Sequence, residues 1–446
     1  RAFNEKLGLE TPHLDRLASE GMSFMDAHSA SGVCSPSRYS LLTGRYHWRS
    51  RLKRAIVNKW ERPLIEEGRL TLPSMLKKEG YATCMIGKWH LGHNWPKKGG
   101  GFTNQAQEID FAGPITGGPN AIGFDYWFGD DVPNWPPYAW QENERLLGIP
   151  TTDARQLKLT QYVGVSNGPA VEGWSLQAVL PEYAKRCSSY IRERANKKNP
   201  FFLYFSTTSP HSPIVPLEKF QEKTQAGPYG DFIAQTDHSV GQIVAALQQS
   251  GVYDNTLIIV SSDNGPAPFM RDLIKEYEHN PSGSLRGLKR DLLEGGHRVP
   301  FIASWPNRGI KDGRRIDSTL SLADLFATIA GMIGVPLEDG VAEDSLDVLP
   351  TLLSDEPVRT ELVYHAANGK LGLRQGDWAY LRRGGFTDEP GWFQEFWQGD
   401  SLDAPALLFD LSRDLAQKTN LRTKHPNRVK RMEERLAEIE KGTSTR

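Results

Sequence analysis

Apolar and polar positions follow two rhythms along this chain. Short continuous apolar runs, "YATCMIG" (81–87), "FFLYFS" (201–206), "TLIIVSS" (256–262) and "VPFIASWP" (299–306), have the length and composition of buried strands. Between them lie longer segments whose apolar residues recur every three to four positions: "TPHLDRLASEG", "TLPSMLKKEG", "EYAKRCSSYIRERANKKNP" and "DFIAQTDHSVGQIVAALQQSG". The first two each open on a threonine N-cap followed closely by proline and close on glycine, which marks them as helices. Strands alternating with helices predict an α/β domain, with a mostly parallel (mixed) sheet sandwiched by helices.

A buried amphipathic helix is expected from Leu320, in "LSLADLFATIAGMIGVPL", where Asp324 argues against a membrane span. Beyond about Pro350 the runs shorten into hairpin material such as "ELVYHAANGKLGLRQGDWAYLRRGG" and "ALLFDL". The closing helix "HPNRVKRMEERLAEIEKG" sets Val429, Met432, Leu436 and Ile439 on one face. These features divide the chain into a large α/β domain, 1–355, and a small C-terminal α+β subdomain of antiparallel sheet and helix, 356–446.

Composition narrows the function classes. The 446 residues carry 53 Lys plus Arg and 54 Asp plus Glu, a formal net charge of -1, which argues against a nucleic-acid or membrane-surface partner. Only three cysteines, Cys34, Cys84 and Cys187, are present, so at most one bridge can form and a disulfide framework is excluded. The chain opens at Arg1, and an upstream segment is expected to have been removed.

Ligands of open α/β sheets bind beyond the carboxyl ends of the strands. Those ends carry Lys88 and His90 in "GKWHLG", His211 in "SPHSP", and Asp263 with Asn264 in "SSDNG"; Cys34 and Arg38 stand at the start of a helix. The four segments are expected to converge on one sheet edge. Each has a plain structural alternative: a strand-end pair, a rigid proline loop, a tight turn and a small buried thiol. The combination is what argues for chemistry.

That combination resembles the type I, formylglycine-dependent sulfatase family. "CSPSRYSLLTG" matches the family's Cys-x-Pro-Ser-Arg-x-x-x-Leu-Thr-Gly motif, and "GKWHLG", "SPHSP", "SSDNG" and "LKRDLLEGGHRVP" extend the likeness across the large domain. "LFDLSRDLAQKTNL" resembles the family's terminal subdomain. The resemblance implies an alkaline-phosphatase-like fold. It also implies that Cys34 is converted to formylglycine, by a formylglycine-generating or an anaerobic sulfatase-maturating enzyme. One hydroxyl of the hydrated aldehyde attacks sulfur and expels the alcohol; the second loses its proton, the carbonyl re-forms and sulfate departs. A serine there would be trapped as its sulfate ester.

Position by position, the resemblance makes Asp263 and Asn264 metal ligands, Arg38 the cation beside the hydrate, and Lys88 and Lys289 the partners of sulfate oxygens. His90 would orient the hydrate and take its proton, and His211 would protonate the leaving oxygen. Carboxylate and amide oxygens favour Ca2+ over Mg2+. The family supplies two further metal ligands from adjacent aspartates on its first strand. No such pair precedes "TPHLDRLASEG", and "GDDVP" reads as a loop, so an N-terminally truncated sulfatase lacking its first strand is expected.

The loop segments resemble bacterial sulfatases of sulfated glycans, including those acting on 6-O-sulfated N-acetylgalactosamine. Trp135, Tyr138 and Trp140 suit either stacking on sugar or packing in a loop, and His279, His297 and His365 are candidates to line the pocket. By resemblance the protein is exported to the periplasm or beyond the cell. Two alternatives stand beside this reading: a phosphonate monoester or phosphodiester hydrolase on the same fold, and an inactive glycan-binding homologue.

Overall fold

The computed structural model describes residues 7–386 and 399–446 and divides into two compact units. The first comprises the chain up to Glu20, Val57–Leu257 and Trp305–Arg308. Its sheet runs in the order Phe201–Ser206, Ala82–Gly87, Tyr126–Gly129, Gln141–Glu142, Arg145–Leu146. The first three strands are parallel and the last two close an antiparallel edge. Helices Val179–Ala195 and Gly227–Gln249 pack on each other. Cys84, Cys187, Phe128, Tyr183 and Phe232 belong to one apolar core of this unit.

Its helix ends show how the chain satisfies backbone donors that a helix leaves open. The helix Leu72–Lys78 starts with the expected cap: Thr71 accepts from the Ser74 N–H and Ser74 returns the bond. At Pro12–Glu20 the first-turn donors go elsewhere. His13 and Leu14 donate to the Asp237 carboxylate of the long helix, at 3.2 and 2.8 Å.

The second unit comprises Gly21–Ile56, Ile258–Ser304 and Gly309–Arg446. One sheet runs Ile258–Ser261, Phe301–Ser304, Met22–Phe24, Arg314–Ile316, with only the last pairing parallel. The strands leading to Lys88 and His211 therefore belong to a different sheet from the strand leading to Asp263. This revises the single sheet edge expected from sequence. The helix from Leu320 is also shorter than expected. Ser321 and Asp324 form a capping pair, so Asp324 sits at the entry rather than the interior, and the α-helix spans Leu325–Met332. Arg359 holds the buried Asp324 by a two-pronged ion pair.

A four-stranded antiparallel sheet, Glu361–His365, Leu371–Gln375, Trp378–Arg382 and Ala406–Asp410, forms the C-terminal subdomain. Helix Pro426–Lys441 lays Met432, Leu436 and Ile439 against Val363, Leu373, Tyr380 and Leu408, the face read from its periodicity.

Burial holds several imidazoles neutral. It pushes His297 down to about 3 and His93 and His365 to about 4, and drives His47 well below the ordinary value. A base with a lowered folded pKa takes up protons on unfolding, so this stability is present above about pH 6.5 and is lost as pH falls toward 4. We expect a lower urea midpoint at pH 5 than at pH 7, with each ring contributing roughly 1 kcal/mol per pH unit. Identical midpoints would refute this.

Candidate active site

In the second unit the motif "CSPSRYSLLTG" forms the helix Cys34–Thr43 and its C-terminal stop. Val33 is extended at the N-cap and contributes no side-chain bond, and Cys34 opens the helix at its positive end. The motif divides into structural and chemical positions. The Ser37 hydroxyl donates to the carbonyls of Ser31 and Val33, and Thr43 donates to Tyr39. Gly44 ends the helix at φ 63, where an added Cβ would meet that of Ala342 at 2.6 Å. Cys34 and Arg38 are the residues left for chemistry. The thiol is buried, and Arg38, one turn later, donates through Nε and Nη2 to Asp263 Oδ2 at 3.0 and 2.9 Å.

Asp263 and Asn264 lie in the turn after strand Ile258–Ser261. Ser262 donates to the Asn264 carbonyl, and the Asn264 amide nitrogen donates to the Gly265 carbonyl at 2.9 Å. Gly265 is fixed by close approach, since a Cβ there would lie 1.8 Å from the Gly295 carbonyl oxygen. The Asn264 side-chain oxygen is buried and accepts no hydrogen bond among the described residues. A buried acceptor without a donor is costly. A carboxylate and an amide oxygen on consecutive residues are the donor types that a hard divalent cation takes.

The Lys289 backbone donates to the Pro266 carbonyl at 2.7 Å, which brings this lysine to the same turn. The residue is 8 % exposed. Buried charges are ordinarily paired, so this position suits an anion. His279 is also in this unit and buried, with its pKa lowered by that burial.

The first unit carries the other three residues. Ala82–Gly87 and Phe201–Ser206 end in register, Gly87 opposite Ser206, and this brings the segments of Lys88, His90 and His211 to one end of their sheet. Gly87, at φ 115, permits the close pairing: a Cβ would stand 2.0 Å from the Ser206 carbonyl oxygen. The Lys88 N–H donates to that carbonyl and Ser206 Oγ donates back to the Lys88 carbonyl, both at 2.8 Å. Lys88 is buried. His211 is partly buried, and its Nδ1 donates to the Ser212 carbonyl at 2.7 Å.

His90 is the most constrained. It has φ 61, a left-handed backbone that costs a non-glycine residue about 1–2 kcal/mol. Its N–H donates to Asp131 Oδ1 at 3.0 Å, and Nε2 lies 3.1 Å from the Val57 carbonyl. A carbonyl only accepts, so Nε2 carries the proton and Nδ1 keeps its lone pair. That Nδ1 is buried and has no partner among the described residues. The ring edge-packs on Trp135 at 5.2 Å.

Sequence reasoning missed Asp131, because "GDDVP" looks like any polar turn. It offered His297 and His365 as candidates to line the pocket, and Trp135, Tyr138 and Trp140 for either stacking on sugar or packing in a loop. His297 is fully buried, bonded to His28 at 3.0 Å and stacked on Tyr364; His365 packs on His47 and reaches the Lys53 carbonyl. Tyr138 and Trp140 belong to the apolar core of the first unit, and only Trp135 adjoins a candidate catalytic residue. All three cysteines are buried and none of them is in a disulfide.

The family described as Sulfatase matches residues 2–335. An N-acetylgalactosamine-6-O-sulfatase of Bacteroides thetaiotaomicron is 32% identical over 97% of this chain and 88% of its own length. The N-acetylgalactosamine-6-sulfatase of Rattus norvegicus is 31% identical over 87% of this chain and 69% of its own. A solved Bacteroides thetaiotaomicron protein, described with the metabolism of multiple glycosaminoglycans, superposes with a TM-score of 0.83 at 29% identity, over 98% of this chain and 95% of the other. The chain belongs to the sulfatase family. It is a sulfuric ester hydrolase of alkaline-phosphatase-like fold, and membership generally implies a formylglycine and a divalent metal. No helix among the described residues is long and apolar enough to cross a membrane.

Proposed function

We propose that this protein removes a 6-O-sulfate from N-acetylgalactosamine or galactose in a sulfated glycan. The observation that carries the chemistry is Cys34 as the first residue of a helix, with Arg38 one turn away paired to Asp263. The substrate class is supported by the named activity of the relatives, at 32% and 31% identity.

Cys34, converted to formylglycine by a maturating enzyme, supplies a hydrated aldehyde whose hydroxyl serves as nucleophile. Asp263 and Asn264 would hold the divalent cation, for which Ca2+ is preferred, and the cation would polarise a sulfate oxygen when bound. Arg38 adds fixed positive charge near the nucleophile and holds the Asp263 carboxylate in an ion pair. Lys88 and Lys289 hold sulfate oxygens as point charges, and their fixed positions favour the anionic transition state over a mobile ground state. His90, with its Nδ1 lone pair, takes the proton whose loss releases sulfate. His211 donates Nδ1–H to the Ser212 carbonyl, and its doubly protonated imidazolium form gives the Nε2 proton to the leaving oxygen. His279 lines the sugar pocket. We place the protein in the periplasm or outside the cell, and its domain boundary near residue 355.

The test is sulfate release from matched 6-O- and 4-O-sulfated N-acetylgalactosamine, with a phenyl phosphonate ester as a third substrate. Release from the 6-O-sulfate alone is expected. Preference for the 4-O isomer would overturn the substrate, and preference for the phosphonate ester would overturn the sulfate chemistry.

A further inference from the structure

Three consecutive backbone donors in "GKWHLG" meet three different acceptors. Lys88 donates to the Ser206 carbonyl at 2.8 Å and Trp89 to the Asp130 carbonyl at 3.0 Å. Both acceptors are main chain and survive any side-chain substitution. His90 donates instead to the Asp131 side chain, Oδ1, at 3.0 Å. This bond depends on the identity of residue 131, and it falls on the one residue of the segment that is not glycine yet has φ 61. The Trp89 indole donates to the Gly92 carbonyl at 2.8 Å and closes the turn on its other side. Asp131 has little competing use: its nearest other partner is His93 Nε2 at 4.0 Å, and its side chain is 13% exposed.

We propose that Asp131 is a positioning residue: it holds His90 in the left-handed conformation in which Nε2–H meets the Val57 carbonyl and Nδ1 presents its lone pair. The proposal rests on the reading of His90 as the proton acceptor and adds to it the residue that sets its tautomer. The Val57 carbonyl can select the Nε2–H form only while the ring lies within reach, and ring placement follows the backbone angle at His90. Trp135 limits the ring from the side, at 82° between planes, but makes no polar bond that would choose a tautomer. Asp131 thus acts through His90 and touches no substrate.

The test compares Asp131→Ala with Asp131→Asn in the full chain. Asparagine keeps the Oδ1 acceptor and alanine removes it. Asp131→Ala is expected to lower kcat by about 10- to 100-fold with KM within roughly twofold, because a misplaced group loses transition-state rather than ground-state binding. Asp131→Asn is expected to stay within about threefold of the parent kcat. Ring-nitrogen NMR of His90 gives a readout independent of turnover: a single Nε2–H tautomer in the parent and in Asp131→Asn, and averaged nitrogen shifts in Asp131→Ala. Equal losses in both variants, or parent-like kcat and shifts in Asp131→Ala, would overturn the proposal. If Asp131→Ala does not fold, the asparagine variant alone decides, since a loss of tenfold or more there contradicts it. A parent protein without sulfate release would count against the proposed function, while the nitrogen spectrum would still decide the role of Asp131.

Discussion

Cys34→Ala removes sulfate ester turnover, by about 10⁴-fold or more in kcat, because no other side chain on the helix supplies the paired hydroxyls that both accept and release sulfate. Cys34→Ser behaves differently. Its hydroxyl can accept a sulfuryl group once, but it has no second hydroxyl whose proton loss would expel sulfate. A single burst of released alcohol, stoichiometric with enzyme and followed by no turnover, is expected. Neither substitution should disturb the fold, since Ser37, Thr43 and Gly44 carry the helix and its stop. Steady-state and stopped-flow assays on an aryl sulfate check both outcomes. Alanine activity within tenfold of the parent would contradict the role.

The second large effect is expected at Asn264. Its side-chain oxygen is buried without a partner among the described residues, while its nitrogen makes one bond to the Gly265 carbonyl. Asn264→Ala therefore loses one ordinary hydrogen bond, about 1 kcal/mol of stability. The loss of a cation oxygen should cost far more in rate, about 10²-fold or greater. Activity should respond to added Ca2+ more steeply than in the parent, and a chelator should bring the parent toward the variant. Parent-like turnover with an unchanged calcium response would show that Asn264 holds no cation. The same experiment at Asp263 would be less clear, because removing that carboxylate also strands the buried Arg38.

The sequence disclosed those parts of the site that are local. Cys34 and Arg38 are four residues apart on one helix, and the periodic face of Pro426–Lys441 was readable for the same reason. Contacts set by distant pairing were hidden. Asp263 meets Arg38 across 225 positions, and Asp237 takes the first-turn donors of a helix more than 200 residues upstream. Asp131 depends on Gly87, Ser206 and Gly129 packing their backbones together, which a polar "GDDVP" does not announce. Histidine type was no guide either. His90 and His297 look alike in sequence, yet one presents an unpartnered nitrogen beside a constrained backbone and the other is spent on a buried network.

Every step assigned to this protein depends on Cys34 ceasing to be a cysteine. The direct measurement is mass spectrometry of the Cys34 peptide from protein made together with a converting enzyme, with hydrazide capture of any aldehyde. The account predicts an aldehyde in place of the thiol, in a fraction that tracks sulfate release across preparations. A peptide carrying only unmodified cysteine, from a preparation that turns over sulfate ester, would contradict it.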